Sequence, residues 1–269
     1  MINFIVHWLK CNTFIRSFVQ TFLEHYETRR PYRHIDAWLH FLAGRHLNNF
    51  FSRYAEQEPV ITGNMVKLIK IDSTIFDIGA NIGYYTVMFS KLAPQGIIIS
   101  VEPDGDNFYW LKKNISMNNL RNVTVINKAL SSNECEVDFY IDKNTGRTSS
   151  LTREVFHPGG RYGLEKTIVR TVTCDSLAEE KMPDLIKCDI EGHEIAFLHG
   201  AVQTLKHHPI IMMEVKKENR ADVLKILTDA GYNIFNAEQV LTEKSKPILH
   251  IESENILALP AGYDLTKLC

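Results

Sequence analysis

The chain has 269 residues, a formal net charge of −2 and 45% hydrophobic residues. These values are typical of a soluble globular protein with room for one α/β domain and an appendage, and they give no support to nucleic acid as a partner. The 5 cysteines are odd in number and form no Cys-X-X-Cys pair, which argues against a disulfide framework or a zinc cluster and favours a cytoplasmic location.

Residues 1–60 are predicted to form a helical segment that precedes a domain over 61–269. Apolar residues recur at helical spacing at Ile5, Leu9, Ile15, Phe18, Val19 and Phe22, and again at Trp38, Leu39, Phe41 and Leu42, before Pro59 ends the pattern. No run reaches the roughly 18 uncharged apolar residues of a membrane span, and no signal-peptide cleavage site is evident. The helices would pack on the main domain or join subunits of a homo-oligomer. Contact with a membrane surface is the alternative, which the weakly basic polar face disfavours.

Short apolar runs alternate with segments of helical periodicity from residue 74 onward. The predicted strands are 74–78, 97–101, 123–126, 136–141, 167–172, 184–188, 209–213, 234–235 and 256–259, and the predicted helices are 84–92, 106–117, 194–206 and 221–230. Such alternation indicates a parallel sheet with βαβ crossovers and helices on both faces, which is a Rossmann-like α/β domain. Ligands of such sheets bind at the carboxyl ends of the strands, so the residues after each strand are the candidates for function.

A glycine-rich turn, Asp77-Ile-Gly79-Ala80-Asn81-Ile-Gly83, follows the first of these strands. Gly79 and Gly83 allow a sharp turn and a close approach of the backbone to a ligand. A dinucleotide site would require Gly-X-Gly-X-X-Gly, which places a pyrophosphate at the helix start, and Asp77 would repel that group. The same carboxylate would attract the sulfonium and ammonium groups of S-adenosylmethionine. The turn therefore favours S-adenosylmethionine over NAD.

Three further residues complete the predicted cofactor site. Glu102 follows the second strand, about 20 residues beyond the glycines, where an acid accepts hydrogen bonds from ribose hydroxyls. Asn107 either caps the next helix or contacts the cofactor. Ala129 follows the third strand, where a small residue would let the adenine ring lie against the backbone. With Asp77, Gly79, Ala80, Asn81 and Gly83, these residues form the expected cofactor set.

Ionisable side chains crowd the turn after the strand 184–188, in the segment Lys187-Cys-Asp189-Ile-Glu191-Gly-His193-Glu194. Such a cluster is costly unless it is solvated, paired or used. Asp189 is the first candidate for a general base and His193 the second, while Glu191 acts with them or caps the helix. Together with Glu214, the carboxylates of Asp189 and Glu191 would alternatively hold Mg²⁺ or Ca²⁺.

The strings FDIGANIGYYT, VEPD, VRTVTCDSL and IKCDIEGHE, in this order, resemble the FkbM-type methyltransferase family over roughly residues 70–215. The resemblance implies the Rossmann-like class I methyltransferase sheet. It also implies methyl transfer from S-adenosylmethionine, usually to a hydroxyl oxygen of a sugar or secondary metabolite. Residues 77–83 match the cofactor loop and Glu102 the ribose acid, whereas residues 189–194 match a motif to which the resemblance assigns no role. Residues 1–60 have no counterpart in it.

Two other functions remain open for the same sheet. One is an NAD-dependent oxidoreductase, which the glycine spacing opposes. The other is a binding or scaffold protein that has kept the fold without catalysis, because a fold does not imply an activity. The presence of Asp77, the glycines, Glu102 and the acids after residue 188 favours the methyltransferase.

Overall fold

The structure is a computed structural model that describes residues 27–32, 36–42, 58–142, 149–151 and 164–268. The strands are β1 (Glu27–Pro31), β2 (Trp38–Leu42), β3 (Thr74–Ile78), β4 (Ile97–Val101), β5 (Val123–Ile126), β6 (Ala129–Leu130), β7 (Glu136–Asp142), β8 (Ser149–Ser150), β9 (Leu164–Val172), β10 (Leu185–Cys188), β11 (Ile210–Glu214), β12 (Tyr232–Asn236) and β13 (Asn255–Pro260). The α-helices are α1 (Pro59–Leu68), α2 (Tyr84–Leu92), α3 (Gly105–Met117), α4 (Cys174–Ala178), α5 (Glu194–His199), α6 (Val202–Lys206) and α7 (Arg220–Asp229). Short 3₁₀ helices cover Lys217–Asn219 and Leu265–Leu268.

The central sheet has 7 strands in the order β5-β4-β3-β10-β11-β13-β12. Neighbouring strands are parallel except at β13, which runs antiparallel to both β11 and β12. The sheet is the mostly parallel, Rossmann-like α/β sheet that the sequence predicts. The chain proceeds from β3 towards one edge and returns at β10 towards the other, so the strand order reverses between β3 and β10. Ligands of open α/β sheets bind at such a point.

Helices cover both faces of this sheet because its strands are apolar on both sides. Successive residues of β3 enter different clusters, since side chains alternate along a strand. Ile75 packs with residues of α1 and α2, whereas Phe76 packs with residues of α5 and α7. The predicted helix over 194–206 is interrupted, because Gly200 lies against Ser131: a Cβ at Gly200 would come within 2.2 Å of the Ser131 carbonyl oxygen.

The middle of the chain forms a second sheet of 4 strands in the order β6-β9-β7-β8. β7 and β9 pair antiparallel from Glu136 opposite Arg170 to Asp142 opposite Leu164. The alternation of β7 places Phe139 on a buried face with 2% exposure. This sheet lies between β5 and α4 in the chain, and it contributes one wall of the cavity described below.

The prediction of helices over residues 1–60 is wrong for the part that the structure describes. β1 and β2 form an antiparallel hairpin in which Leu39 is buried and Trp38 is exposed. Four of the five residues of β2 are apolar, so the strand lacks the alternation of a half-exposed strand and its apolar residues also fit a helical spacing. Pro59 begins α1 instead of ending a helix, and α1 runs across the expected boundary at residue 60. The apolar positions from Ile5 to Phe22 lie outside the described residues. Among the helices that the structure describes, none is long and apolar enough to cross a membrane.

Candidate active site

A cavity opens where β3, β4 and β10 end. Eight predicted site residues line it: Gly79, Asn81, Glu102, Asn107, Ala129, Asp189, Glu191 and His193. The other residues of the lining are Ile78, Val101, Pro103, Lys128, Leu130, Phe139, Leu151 and Ile190. Three predicted cofactor residues, Asp77, Ala80 and Gly83, are not part of this lining.

The side chain of Asp77 points away from the cavity. It is fully buried, and its Oδ2 accepts a hydrogen bond of 2.6 Å from the hydroxyl of Thr86 in α2. The next residue along the strand, Ile78, faces the cavity instead. Burial raises the pKa of Asp77, against the opposing effect of the Lys187 charge. The structure thus gives Asp77 a contact that anchors α2, while its contact with a cationic ligand stays a prediction.

The glycines of the turn bring two loops together. Gly79 has φ +73°, and a Cβ there would lie 1.8 Å from the carbonyl oxygen of Asp189. Gly83 has φ +91°, and a Cβ there would lie 2.8 Å from Cδ1 of Leu111 in α3. The amide groups of Gly79 and Ala80 both donate to the Val101 carbonyl at 3.0 Å. The turn is thus fixed between β4, α3 and the loop after β10.

Glu102 presents a buried carboxylate to the cavity. It accepts hydrogen bonds from the backbone amides of Asn81 at 2.8 Å and Asp104 at 2.9 Å. The side chain of Asn107 is a third hydrogen-bonding partner, so of the about four acceptor positions of a carboxylate about one remains for a ligand hydroxyl. Burial raises the pKa of Glu102 to about 7.

Asn107 does not cap α3. The N-cap is Asp104, whose side chain accepts hydrogen bonds from the backbone amides of Asp106 and Asn107. The capping interpretation of Asn107 is therefore wrong. Its side chain lies in the cavity wall beside Glu102, where a polar ligand group would meet it.

Lys187 connects the glycine-rich turn with the loop after β10, and the sequence predicts no role for it. Its buried Nζ donates to the Gly79 carbonyl at 3.2 Å and lies 3.4 Å from Oδ2 of Asp189. Burial alone would lower the pKa of Lys187, but the carboxylates of Asp189 and Asp77 outweigh it and raise that pKa. The charged lysine orients Asp189, whose side chain retains 35% exposure towards the cavity.

Asp189, Glu191 and Glu214 offer oxygen atoms that lie within 4.8 Å of one another. Lys216, however, places its Nζ 2.7 Å from Oε2 of Glu191 and 2.6 Å from Oε1 of Glu214. Mg²⁺ and Ca²⁺ need carboxylate oxygens that are free to coordinate them. With an ammonium group bonded to two of the three carboxylates, the residues fit a lysine-bridged cluster and not a divalent metal site.

Wild-type protein should therefore not bind Mg²⁺ or Ca²⁺, because the Lys216 ammonium already occupies oxygens of Glu191 and Glu214. Lys216→Met should release Glu191 and Glu214 and create a measurable cation site. Isothermal titration with each ion tests both expectations. Lys225→Met is the matched control, because Lys225 is an exposed lysine whose ion pair is with Asp229 and not with a carboxylate of the cluster. Stoichiometric binding of either ion by the wild type would show that the lysine yields its place to a metal.

His193 and Glu194 differ in what they contact. His193 lines the cavity with Nε2 3.1 Å from the Ser131 hydroxyl, and burial lowers the pKa of His193, which favours the neutral imidazole. Glu194 is buried and accepts hydrogen bonds from the Gly192 amide and the Asn219 side chain. Glu194 thus holds the loop, whereas His193 faces the ligand space.

An apolar wall completes the cavity. It consists of Leu130, Phe139, Leu151 and Ile190. Ser150 fixes β8 to the loop after β10, because its hydroxyl donates a hydrogen bond of 2.7 Å to the Glu191 carbonyl. Of these residues, Phe139 had a usable sequence signal: the alternation over 136–141 predicts a buried face. Such a wall excludes water from one side of the ligand.

The sequence profile of the Methyltransferase FkbM domain matches residues 77–234, which is more than half of the chain. The chain belongs to the FkbM methyltransferase family. It is 26% identical over 163 residues to the hexuronic acid methyltransferase AglP of Haloferax volcanii, covering 59% of this chain and 63% of that protein. It is 26% identical over 147 residues to Methyltransferase 1 of Beauveria bassiana, covering 48% of this chain and 58% of that protein. The matched part thus spans less than two thirds of either relative.

Among solved structures, the FkbM methyltransferase of Methylobacillus flagellatus is similar, with 18% identity and a TM-score of 0.47. The similarity covers 71% of this chain and 44% of that one.

Proposed function

We propose that this FkbM-family protein is an S-adenosylmethionine-dependent methyltransferase that methylates a hydroxyl oxygen of a sugar, a glycan or a secondary metabolite. The observation that carries the proposal is one cavity in which Glu102 and Asn107 line one part and Asp189 and His193 another. It lies at the point of the sheet where ligands of this fold class bind. The similarity to a hexuronic acid methyltransferase supports a sugar as the acceptor.

The residues present fit the cofactor. Glu102 has an acceptor position left for a ribose hydroxyl, and Asn107 adds a polar group beside it. Ala129 and Leu130 offer a small and an apolar surface for the adenine ring. Gly79 and Asn81 line the part of the cavity that is left for the methionine end. When bound, S-adenosylmethionine supplies a methyl group that its sulfonium has already activated.

The remaining residues of the cavity would serve the acceptor. A sugar hydroxyl is a poor nucleophile at neutral pH, so a base that takes its proton assists the reaction. Asp189 is suited to this role because Lys187 orients its carboxylate and part of it reaches the cavity. His193 is the second candidate, since its imidazole is neutral and near the same space. The apolar wall excludes water, which favours transfer to the aligned hydroxyl.

Isothermal titration tests the cofactor directly. S-adenosylhomocysteine should bind with a stoichiometry of about one per chain, and NAD should not bind, because the turn lacks the spacing of a pyrophosphate loop. Binding of NAD alone would support the oxidoreductase, and binding of neither would support the scaffold. A screen of sugars, glycans and small metabolites with a labelled methyl donor would then identify the acceptor and test the O-methylation.

Glu102→Gln should weaken the binding of S-adenosylhomocysteine by about 1–3 kcal/mol, the loss expected for hydrogen bonds to a charged group. The wild type should also bind more weakly as the pH falls below about 7, since Glu102 is protonated there and offers fewer acceptor positions. The limiting slope is about tenfold per pH unit. Titrations between pH 6 and 8 measure both effects.

Glu102→Gln should lack this pH dependence, because the amide does not titrate. Asp138→Asn is a control that removes an exposed carboxylate paired with Lys166 on the second sheet. It should leave the affinity and its pH profile unchanged. An unchanged affinity in Glu102→Gln would remove Glu102 from the site.

A further inference from the structure

Two asparagines, Asn114 of α3 and Asn118 directly after that helix, bind the N-terminal hairpin in the way that a neighbouring strand would. Asn118 accepts from the Trp38 amide at 2.8 Å and donates to the Trp38 carbonyl at 2.7 Å. Asn114 accepts from the His40 amide at 2.7 Å and donates to the His40 carbonyl at 2.9 Å. The backbone of β2 is therefore satisfied on this side by side-chain amides one helical turn apart.

Asn114 makes one contact that Asn118 does not make. Its side-chain amide also donates to the carbonyl of Ile82 at 2.8 Å, and Asn114 is fully buried. Ile82 lies in the glycine-rich turn, directly after Asn81 in the cavity wall. A single side chain thus connects the hairpin with the turn of the candidate cofactor site.

A second contact reaches the other end of the same turn. The hydroxyl of Tyr32, which follows β1, donates to the carbonyl of Tyr84 at 2.7 Å, and the two rings stack at 5.1 Å. Tyr84 is the first residue of α2. The hairpin side of the molecule therefore holds the carbonyls of Ile82 and Tyr84, which flank Gly83.

The turn needs such support because its backbone is strained. Asn81 has φ +52°, a conformation that costs energy for a residue with a side chain and persists only when its surroundings determine it. Asn81 also donates its amide to Glu102, so its conformation sets the position of that carboxylate. A loosened turn would displace Asn81 and the carboxylate of Glu102, which both line this part of the cavity.

We propose that Asn114 is a positioning residue through which the N-terminal hairpin sets the conformation of the turn, and with it the affinity for the cofactor. The inference rests on the proposed function for its ligand. It assigns a role to residues 27–32 and 36–42, which precede the family match beginning at residue 77. The hairpin is then a part of the cofactor site's support and not a separate appendage.

Asn114→Leu and Asn118→Leu form a matched pair, since each removes one amide that anchors β2 and keeps a similar volume. Both should lower the melting temperature. Asn114→Leu should weaken the binding of S-adenosylhomocysteine by about tenfold or more, whereas Asn118→Leu should stay within about twofold of the wild type. Titrations are made at a temperature at which both variants are folded. Equal losses in the two variants, or no loss in Asn114→Leu, would overturn the proposal.

Hydrogen exchange of the ligand-free protein separates this inference from the proposed function. Amides of residues 79–87 should exchange faster in Asn114→Leu than in Asn118→Leu, whether or not any cofactor binds. Equal exchange there overturns the inference, while a wild type that binds no S-adenosylhomocysteine overturns only the proposed function. If Asn114→Leu does not fold, Tyr32→Phe replaces it, with Tyr85→Phe as the control that loses a hydroxyl bond to Glu58 instead. Tyr32→Phe should then weaken binding and accelerate exchange more than Tyr85→Phe, and equal effects would overturn the inference.

Discussion

Asp189→Asn should lower the rate of methyl transfer by about 10²–10⁴-fold, while the affinity for S-adenosylhomocysteine changes little. The substitution keeps the shape of the side chain and removes its ability to accept a proton. Cofactor affinity should persist because Glu102, Asn107 and the glycine-rich turn are unchanged. Single-turnover rates with the acceptor identified by screening, compared with titrations of S-adenosylhomocysteine, measure the two quantities separately.

Glu191→Gln is the appropriate comparison for Asp189→Asn. Glu191 also lines the cavity, but its carboxylate is bonded to Lys216 and is thereby less available as a base. A smaller decrease in rate is expected for it. Asp189→Asn also removes a charge partner of buried Lys187, so its melting temperature should fall and rates must be compared where the protein is folded. Full turnover in Asp189→Asn would make Asp189 structural and His193 the next base to replace.

The main sheet was predictable because its signals are local. Residues 74–78, 97–101 and 123–126 are short apolar runs bounded by turns, and the structure has strands with these bounds. Parallel strands also bring their carboxyl ends to one edge. For that reason the residues after separate strands, such as Glu102 and Asp189, could be placed in one site without knowledge of the contacts between them.

The N-terminal hairpin was missed because its signal is not local. β2 is only 5 residues long, and its apolar residues fit a helical and an extended spacing equally well. Its backbone partners include the side chains of Asn114 and Asn118, which are more than 70 positions away in the chain. Nothing in residues 27–42 alone reveals that an asparagine pair will complete the edge of this strand.

The direction of side chains within the site depends on strand register, which the sequence does not provide. Lys187 of β10 lies opposite Asp77 of β3 in the parallel pair. Their side chains share a face of the sheet, so Asp77 meets the charge of Lys187 inside the protein. The same limitation applies to Lys216, whose two carboxylate partners come from the end of β11 and from the loop after β10.

Gly79→Ala should abolish measurable binding of S-adenosylhomocysteine and also destabilise the protein. Two separate costs act at this position. The first is backbone strain, since φ is +73° and such conformations cost a residue with a side chain about 1–3 kcal/mol. The second is steric, because the new Cβ would lie 1.8 Å from the Asp189 carbonyl oxygen. That oxygen belongs to the backbone and cannot rotate away, so the two loops must separate.

Gly262→Ala isolates the first of these costs. Gly262 has φ +85°, close to that of Gly79, but a Cβ there would meet nothing within 4 Å. Its substitution should lower stability by about 1–2 kcal/mol and leave the affinity for S-adenosylhomocysteine unchanged. The excess loss of stability in Gly79→Ala, measured by denaturant unfolding, then reports the contact between the turn and the loop of Asp189. If both variants bind like the wild type, the close approach of these loops does not determine the shape of the cavity, and the cofactor site must be sought elsewhere.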